Sequence, residues 1–315
     1  MVDSIYHAGE LAVQERAGVA EQAQHVGAII RSYVPSIASD FLQKQRMVVL
    51  STRDSRKQMW ASVLTGPAGF IQALDSETVK IIATPMPGDP LAMNLQGRDE
   101  IGIIVVEFST RHRMKVKGHS ERASDGSLLI HAERVYSQCE KYIQARELIA
   151  DSCEHVNKTE ITRLQFLAPA HQVWITAADT FFIASFHPQT GADASHRGGN
   201  PGFVKVVDKA TLVFPNYWGT TMFNTLGNIS LNPHAGLLFL DFVSGSTLQI
   251  TGKASIDWDK NRVAEFPGAN QLVEYRISEV IETPHAMPLR WRSWRIPPQI
   301  RADRTRLCNP SDSRF

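Results

Sequence analysis

Short apolar runs recur along the chain at the length of β-strands: MVVLST at 47–52, ASVLTG at 61–66, VKIIAT at 79–84, IGIIVVEF at 101–108 and RMKVKG at 113–118. Runs this short, rich in Val and Ile and bounded by Gly, Pro, Asp or Ser, predict antiparallel β structure. The opening of the chain differs. Leu11, Ala12, Val13, Ala17, Val19, Ala23, Val26, Ile29 and Ile30 recur among charged and amide residues, which predicts one amphipathic helix over about 9–33, stopped by Pro35-Ser36. A short helix around Phe41 and Leu42 is expected to follow.

The strand pattern repeats. GFIQALDSETVKI at 69–81 aligns with GFVKVVDKATLVF at 202–214, an offset of 133. IGIIVVEF aligns with AGLLFLDF at 235–242, and RMKVKGHS at 113–120 with TLQITGKA at 247–254, both at an offset of 134. Phe41-Leu42 before MVVLST matches Phe166-Leu167 before VWITAAD at an offset of 125. The step from 125 to 133 predicts an insertion in the second copy at HPQTGADASHRGGNPG, 187–202, a loop that the first copy lacks. The expected organisation is a helical segment at 1–35, a degenerate unit at 36–150 with a C-terminal helix, an intact unit at 160–260 and an extension at 261–315.

Composition narrows the function classes. The 315 residues hold 33 Lys and Arg against 32 Asp and Glu, so the chain has no net field to draw a nucleic acid or an anionic membrane surface, and any anion site must be local. Cys139, Cys153 and Cys308 are scattered, without a Cys-x-x-Cys pair or a zinc spacing, so no metal is expected and a reducing cytoplasm is the simplest compartment. No apolar run is long enough to span a bilayer, and the first residues lack the pattern of a signal peptide. The last stretch, RIPPQIRADRTRLCNPSDSRF, reads as a mobile or partner-dependent tail.

Two blocks carry a family likeness. ASHRGGNPGFVKVVDKATLVFPNY at 194–217 and MFNTLGNISLNPHAGLLFLDFVSGSTLQITGKA at 222–254 present an Arg/Lys-bearing strand, a small-polar turn, Asn232-Pro233 before an apolar strand, and a strand ending in Gly. In this the second unit resembles the FMN-binding split barrel of the pyridoxamine 5'-phosphate oxidase family. VYSQCEKYIQARE at 135–147 resembles a Cys-Pro-Lys-Tyr-Ile-Gln helix of that family, with Glu140 in place of Pro. The resemblance implies a mainly β fold with flanking helices: tandem antiparallel split β-barrels forming a pseudo-dimer within one chain, with the flavin at the interface between barrels. It implies FMN as cofactor and an FMN-dependent oxidoreductase acting on a small-molecule substrate. A homodimer of the whole chain stays open, as does an NADH or NADPH donor, because no GxGxxG opens a helix after a strand. The alternative is a flavin- or haem-binding protein without turnover.

FMN carries a doubly charged phosphate, which needs an Arg fork, a Lys, or hydroxyls and backbone N–H groups held together. Arg197, Lys205, Thr220, Thr221, Asn224 and Thr225 are the candidates, with Ser195, His196, Asn228 and Thr247 completing the expected cofactor set. Gly198, Gly199 and Gly202 let backbone approach a ligand. Each has a plainer reading: Arg197 as a solvated charge, Lys205 as a strand lysine with its head in water, Asn224 and Asn228 as turn formers. Ser195 and His196, being adjacent and outside any GxSxG elbow, do not read as a nucleophile and its base, and no catalytic side chain is assigned. Thr247 falls where oxidase relatives place a Gln near the flavin ring. In the first copy Gln72 stands at the position of Lys205 and Arg197 has no counterpart, although Trp60 could fill that region, so the first unit is expected to wall the flavin site. LRWRSWRIP at 289–297 reads equally as an anion clamp or a packed terminal segment.

Overall fold

The structure is a computed structural model and describes residues 4–97, 99–137, 140–151 and 160–293. Helices α1 (Ala8–Arg16), α2 (Ala20–Gly27) and α3 (Ser36–Lys44) precede strands β1 (Met47–Arg53), β2 (Met59–Thr65), β3 (Ile71–Ala73) and β4 (Thr78–Ile81). A short α4 (Leu91–Asn94) leads into β5 (Asp99–Glu107), β6 (His112–Arg122), β7 (Leu128–Ser137) and β8 (Arg146–Asp151). The second half runs β9 (Thr162–Leu164), α5 (Pro169–Ala177), β10 (Thr180–His187), β11 (Gly191–Gly198), β12 (Lys205–Asp208), β13 (Thr211–Tyr217) and α6 (Asn224–Leu231). It ends with β14 (His234–Leu240), β15 (Thr247–Asp257), α7 (Lys260–Ala264), β16 (Ala269–Thr283) and β17 (Leu289–Ser293).

The two halves share one topology. Antiparallel strands follow the order β2-β1-β5-β6-β7-β4-β3 in the first and β11-β10-β14-β15-β16-β13-β12 in the second, with β9 added beside β16. Register repeats as well: Met47 faces Thr65 where Thr180 faces Gly198, and Leu50 faces Ile103 where Ile183 faces Leu237. Each copy also has a bulge at the same place, after Lys117 in β6 and after Thr251 in β15. The chain is a tandem of antiparallel split β-barrels.

Register corrects the expected insertion. The segment 187–202 is not an extra loop, because β11 within it is the counterpart of β2, at the same offset of 133 that relates Met47 to Thr180. The Phe41/Phe166 match was accidental. Helix α3 corresponds instead to α5, which places Leu42 opposite Ile175, both completely buried. The extra residues of the second copy lie between β15 and β16, where the connection from Asp257 to Leu272 carries α7, against a tight turn from Arg122 to Leu128 in the first.

Three further expectations change. The helix expected over 9–33 is broken into α1 and α2 because Gly18, at φ +70°, takes the left-handed conformation that closes a helix. No helix occupies the described part of 135–147: β7 continues to Ser137, Tyr142 turns the chain with φ +66°, and β8 begins at Arg146. The second sheet does not stop near 260, since β16 pairs with both β15 and β13 and runs to Thr283. The three cysteines and the 294–315 tail, with the end of the Trp/Arg segment, lie outside the described residues.

Each barrel has its own apolar core, built on Leu50, Ile103 and Val116 in the first and on Ile183, Leu237 and Ile250 in the second. A third cluster joins them, including Met59, Phe182, Leu238 and Leu289, all nearly inaccessible to water. Burial of such side chains stabilises the joint by about 1.5–3 kcal/mol each. Phe108 and Phe242, equivalent in the two copies, meet edge to face at 5.2 Å with Trp291 against both. The sheets come close enough that backbone touches backbone: a Cβ at Gly102 would lie 2.5 Å from the Ala192 carbonyl oxygen, and one at Gly236 the same distance from that of Met59.

This close approach gives a test. Gly102→Val should destabilise the protein by roughly 1–3 kcal/mol through overpacking, whereas Gly97→Ala, at an exposed site with open space around it, should stay within about 0.5 kcal/mol of wild type. Denaturant unfolding reads both. Equal stability of the two variants would mean that the barrels can part at Gly102 without cost.

Candidate functional site

A pocket with an empty volume of about 810 Å³, open solvent at its mouth included, lies where the two barrels meet. The second barrel supplies the end of β11, the end of β13, the loop 218–223 and the first residues of α6; the first supplies Arg113 from β6 and Lys141 and Tyr142 from the turn after β7. Neither barrel forms the pocket alone.

The wall from β11 follows strand alternation, with Asp193, Ser195 and Arg197 on one face. Ser195 and Arg197 line the pocket. Arg197 is pushed down to about 10, chiefly by loss of solvation, and Arg113 to about 9 by burial and then by the charge of Arg197. An arginine keeps its proton under such pressure. Both shifts run in the direction expected of a wall that favours an anion. Among the described residues neither guanidinium has a carboxylate within ion-pair distance. Arg113 Nη1 lies 3.4 Å from His196 Nδ1, while Arg113 Nε and His196 Nε2 are buried without any hydrogen-bond partner. Burial, with Arg113, Arg146 and Arg197 nearby, holds His196 well below its ordinary pKa, hence neutral.

Much of the remaining lining is aromatic. Tyr142 stacks on Tyr217, ring centroids 5.1 Å apart and 22° from parallel, one ring from each half of the chain. Trp218 and Phe203 add apolar surface. Helix α6 starts at the pocket from Phe223, which has φ +57° and offers no side-chain cap, so the first N–H groups of the helix lack a side-chain acceptor.

Behind the pocket lies a buried polar network that continues to the N-terminal helix. Lys115 Nζ donates to Asp193 Oδ1 at 2.6 Å and to Ser195 Oγ at 2.9 Å, and Ser195 Oγ donates to Asp193 Oδ2 at 2.9 Å. Tyr136 OH donates to Asn224 Oδ1 at 3.2 Å, and Asn224 Nδ2 to Glu10 Oε1 at 2.5 Å. Asn228 accepts from His7 Nε2 at 2.9 Å and donates to Ser185 Oγ at 2.9 Å. These partners, with Gly9 N donating to His7 Nδ1, fix the Nε2–H tautomer of His7, whose ring stacks on His187 at 3.7 Å.

Seven of the ten expected site residues meet at this pocket: Ser195, His196, Arg197, Thr220, Thr221, Asn224 and Thr225. Three do not. Lys205 is on the edge strand β12, pairs with exposed Glu265 at 3.3 Å and lies over the Phe266 ring, because the turn at 199–203 carries the chain away from the pocket. Asn228 is fully buried one turn further along α6. Thr247 is buried at the start of β15, paired with Leu240 and Thr283. Arg113, Lys141 and Tyr142 were not foreseen, yet a signal existed for Arg113: it is the repeat counterpart of Thr247, at an offset of 134. The counterpart of Arg197 is Leu64, and that of Asp193 is Trp60.

The sequence profile of the pyridoxamine 5'-phosphate oxidase family matches residues 167–295. The second barrel is a pyridoxamine 5'-phosphate oxidase-like domain. Similar solved structures include HupZ from Group A Streptococcus (11% identity, 36% of this chain and 90% of that one, TM-score 0.31). A candidate pyridoxamine 5'-phosphate oxidase from Lactobacillus delbrueckii is 19% identical over 37% of this chain and 94% of its own, with a TM-score of 0.31. The FAD binding protein from Mycobacterium smegmatis is 14% identical over 38% and 99%, with a TM-score of 0.28. No curated protein matches the chain. Among the described residues no helix is long and apolar enough to cross a membrane, and no group of His, Cys, Asp or Glu is arranged to hold a metal ion.

The histidine stack should make the attachment of α1 to the second barrel pH-dependent. Burial holds both His7 and His187 down to about 4, from an ordinary 6.5. The unfolded chain binds these protons near 6.5 while the folded one refuses them until about 4, so stability falls as pH drops through that window. Melting temperatures across this range should decline less steeply for His7→Asn, which retains a side-chain acceptor for Gly9 N, than for wild type. Parallel curves would remove His7 from the acid response.

Proposed function

We propose that the interface pocket binds FMN, with the phosphate between Arg113 and Arg197, and that the protein is an FMN-dependent oxidoreductase. One observation carries the reading: two cationic side chains that have no carboxylate partner among the described residues, and two buried polar atoms without a hydrogen-bond partner there, converge on one pocket that aromatic rings also line. A charge largely withdrawn from water without a counter-ion is unfavourable, so these two half-buried guanidinium groups suit an anion. The stacked tyrosines and Trp218 suit a flat ring system, and the uncapped start of α6 adds N–H groups toward negative charge.

Bound flavin would supply hydride or electron transfer, leaving the protein to bind, orient and exclude water. Arg113 and Arg197 would anchor the phosphate and Thr220 and Thr225 offer it hydroxyls; Tyr142 and Tyr217 would cover the ring, with Ser195 on the pocket wall between Lys115 and the ligand. The pseudo-equivalent region of the first barrel has Leu64 and Val63 where this site has Arg197 and His196. One FMN per chain is therefore expected.

Equilibrium dialysis with FMN and riboflavin tests this. Arg113→Ala and Arg197→Ala should each weaken FMN by about 2–3 kcal/mol, the worth of a charge-assisted contact away from water, and leave riboflavin nearly unchanged. Lys205→Ala should alter neither. Equal losses for both ligands would move the phosphate elsewhere, and release of FAD or haem from purified protein would refute FMN outright.

A further inference from the structure

The two barrels use the same scaffold position to reach across to each other, with different chemistry. Gln249 of β15 donates from Nε2 to the Ala61 carbonyl at 2.9 Å and to Ser62 Oγ at 3.1 Å. Its counterpart in β6 is Lys115, and the counterpart of Ser62 is Ser195. On the side without the pocket, then, a neutral amide holds the barrels together. On the pocket side an ammonium does so, paired with Asp193 and completely withdrawn from water. A buried ion pair is a poor source of stability, because desolvation of both charges offsets their attraction. The second barrel, with Gln249 at the matching place, shows that the fold requires no charge at this position. What distinguishes the charged side is Ser195, which Lys115 touches and which lines the pocket.

We propose that Lys115, acting through Ser195, is the proton-exchange group of the pocket, giving a proton to a bound flavin as it gains electrons. This rests on the flavin reading above. The electrons come as a pair from a hydride-donating reductant of the reduced-nicotinamide class. The Ser195 hydroxyl, which donates to Asp193 Oδ2 in the ligand-free site, first rotates toward the ligand; its Oγ–H bond then breaks as a new bond from that hydrogen to the ligand forms, and a Lys115 Nζ–H bond breaks as the Ser195 Oγ–H bond is restored. Lys115 is left as a neutral amine beside the Asp193 carboxylate.

The surroundings suit such a group. Burial pushes Lys115 down to about 8, opposed by Asp193 and reinforced by Lys117 and Arg113 on its own strand. From β7 it is faced by Tyr136, with its ammonium 5.4 Å from the ring centroid, and from β11 by Asp193. Arg134 on β7 and Glu10 on α1 act on the neighbouring Lys117, and Glu10 reaches Tyr136 through Asn224. Desolvation acts against the Asp193 charge, but Lys115 and Lys117 outweigh it and keep the carboxyl below its ordinary range.

The test is the midpoint potential of bound FMN as a function of pH, for wild type, Lys115→Gln and Lys115→Gln/Asp193→Asn, the double variant leaving no unpaired carboxylate if the single one folds poorly. Wild type should show a change of slope near pH 8, corresponding to one proton per electron pair, or about 30 mV per pH unit. Both variants should bind FMN and lack it. Lys115→Arg, which keeps the charge but cannot release a proton, should lack it too. A slope change that survives in a variant, or one absent from wild type with FMN bound, overturns the relay while leaving the flavin reading intact. Failure of wild type to bind FMN overturns both.

Discussion

How near two β-barrels can come is limited by the side chains between them, and here the limit is removed at two places. Gly102 and Gly236 lie against the carbonyls of Ala192 and Met59, so β5 meets β11 and β14 meets β2 with backbone in contact. Larger residues would hold the sheets apart by a side chain's thickness. The pocket depends on that closeness, because Arg113 and Tyr142 belong to the first half of the chain and must reach residues around Ser195 and Tyr217 in the second. Lys115 also spans the joint only because the strands are this close. The site is a property of the interface.

A duplicated fold offers its own internal control. Around the joint the pairs are Asp193 and Trp60, His196 and Val63, Arg197 and Leu64, Arg113 and Thr247, Lys115 and Gln249. One side closes like an ordinary interior: Trp60 is buried with its Nε1 donating to Asp54, and Ser62 and Gln249 satisfy Asp89, whose pKa burial raises. The other side keeps a hollow lined by cations. Two copies with one topology need the same contacts for stability, so cations that line only one of the two joints point to a ligand more than to folding.

The β content, the repeat and the family likeness were all legible in the sequence, since short Val/Ile runs and the paired Gly-Phe blocks carry local signals. What misled was strand β11. Its residues Asp193, Ser195, His196 and Arg197 break the apolar pattern that reveals its counterpart β2, so it resembled a loop and shifted the apparent insertion to 187–202. Lys205 was tied to Arg197 by nearness in sequence, although the turn at 199–203 sends it to the sheet's edge. Arg113 was hidden for the opposite reason, lying far away in sequence. The alignment with Thr247 had already placed it at the right register, and only the pseudo-twofold packing shows that it points into the other copy's pocket.

The N-terminal helix makes the pocket wall specific. Helix α1 crosses α6 where Gly9 and Gly227 permit close contact, and Gln14 Nε2 donates to the Met222 carbonyl just before α6 begins. Glu10 is then buried against Asn224, itself on the pocket wall. An apolar joint of the same size would bury comparable surface but would tolerate a slide of one helix along the other. Hydrogen bonds do not, since a displaced Glu10 or His7 would leave buried polar groups unsatisfied, each costing about 1–3 kcal/mol. The buried network thus converts a general attraction between helices into one register, and that register sets where Asn224 and Thr225 stand in the pocket.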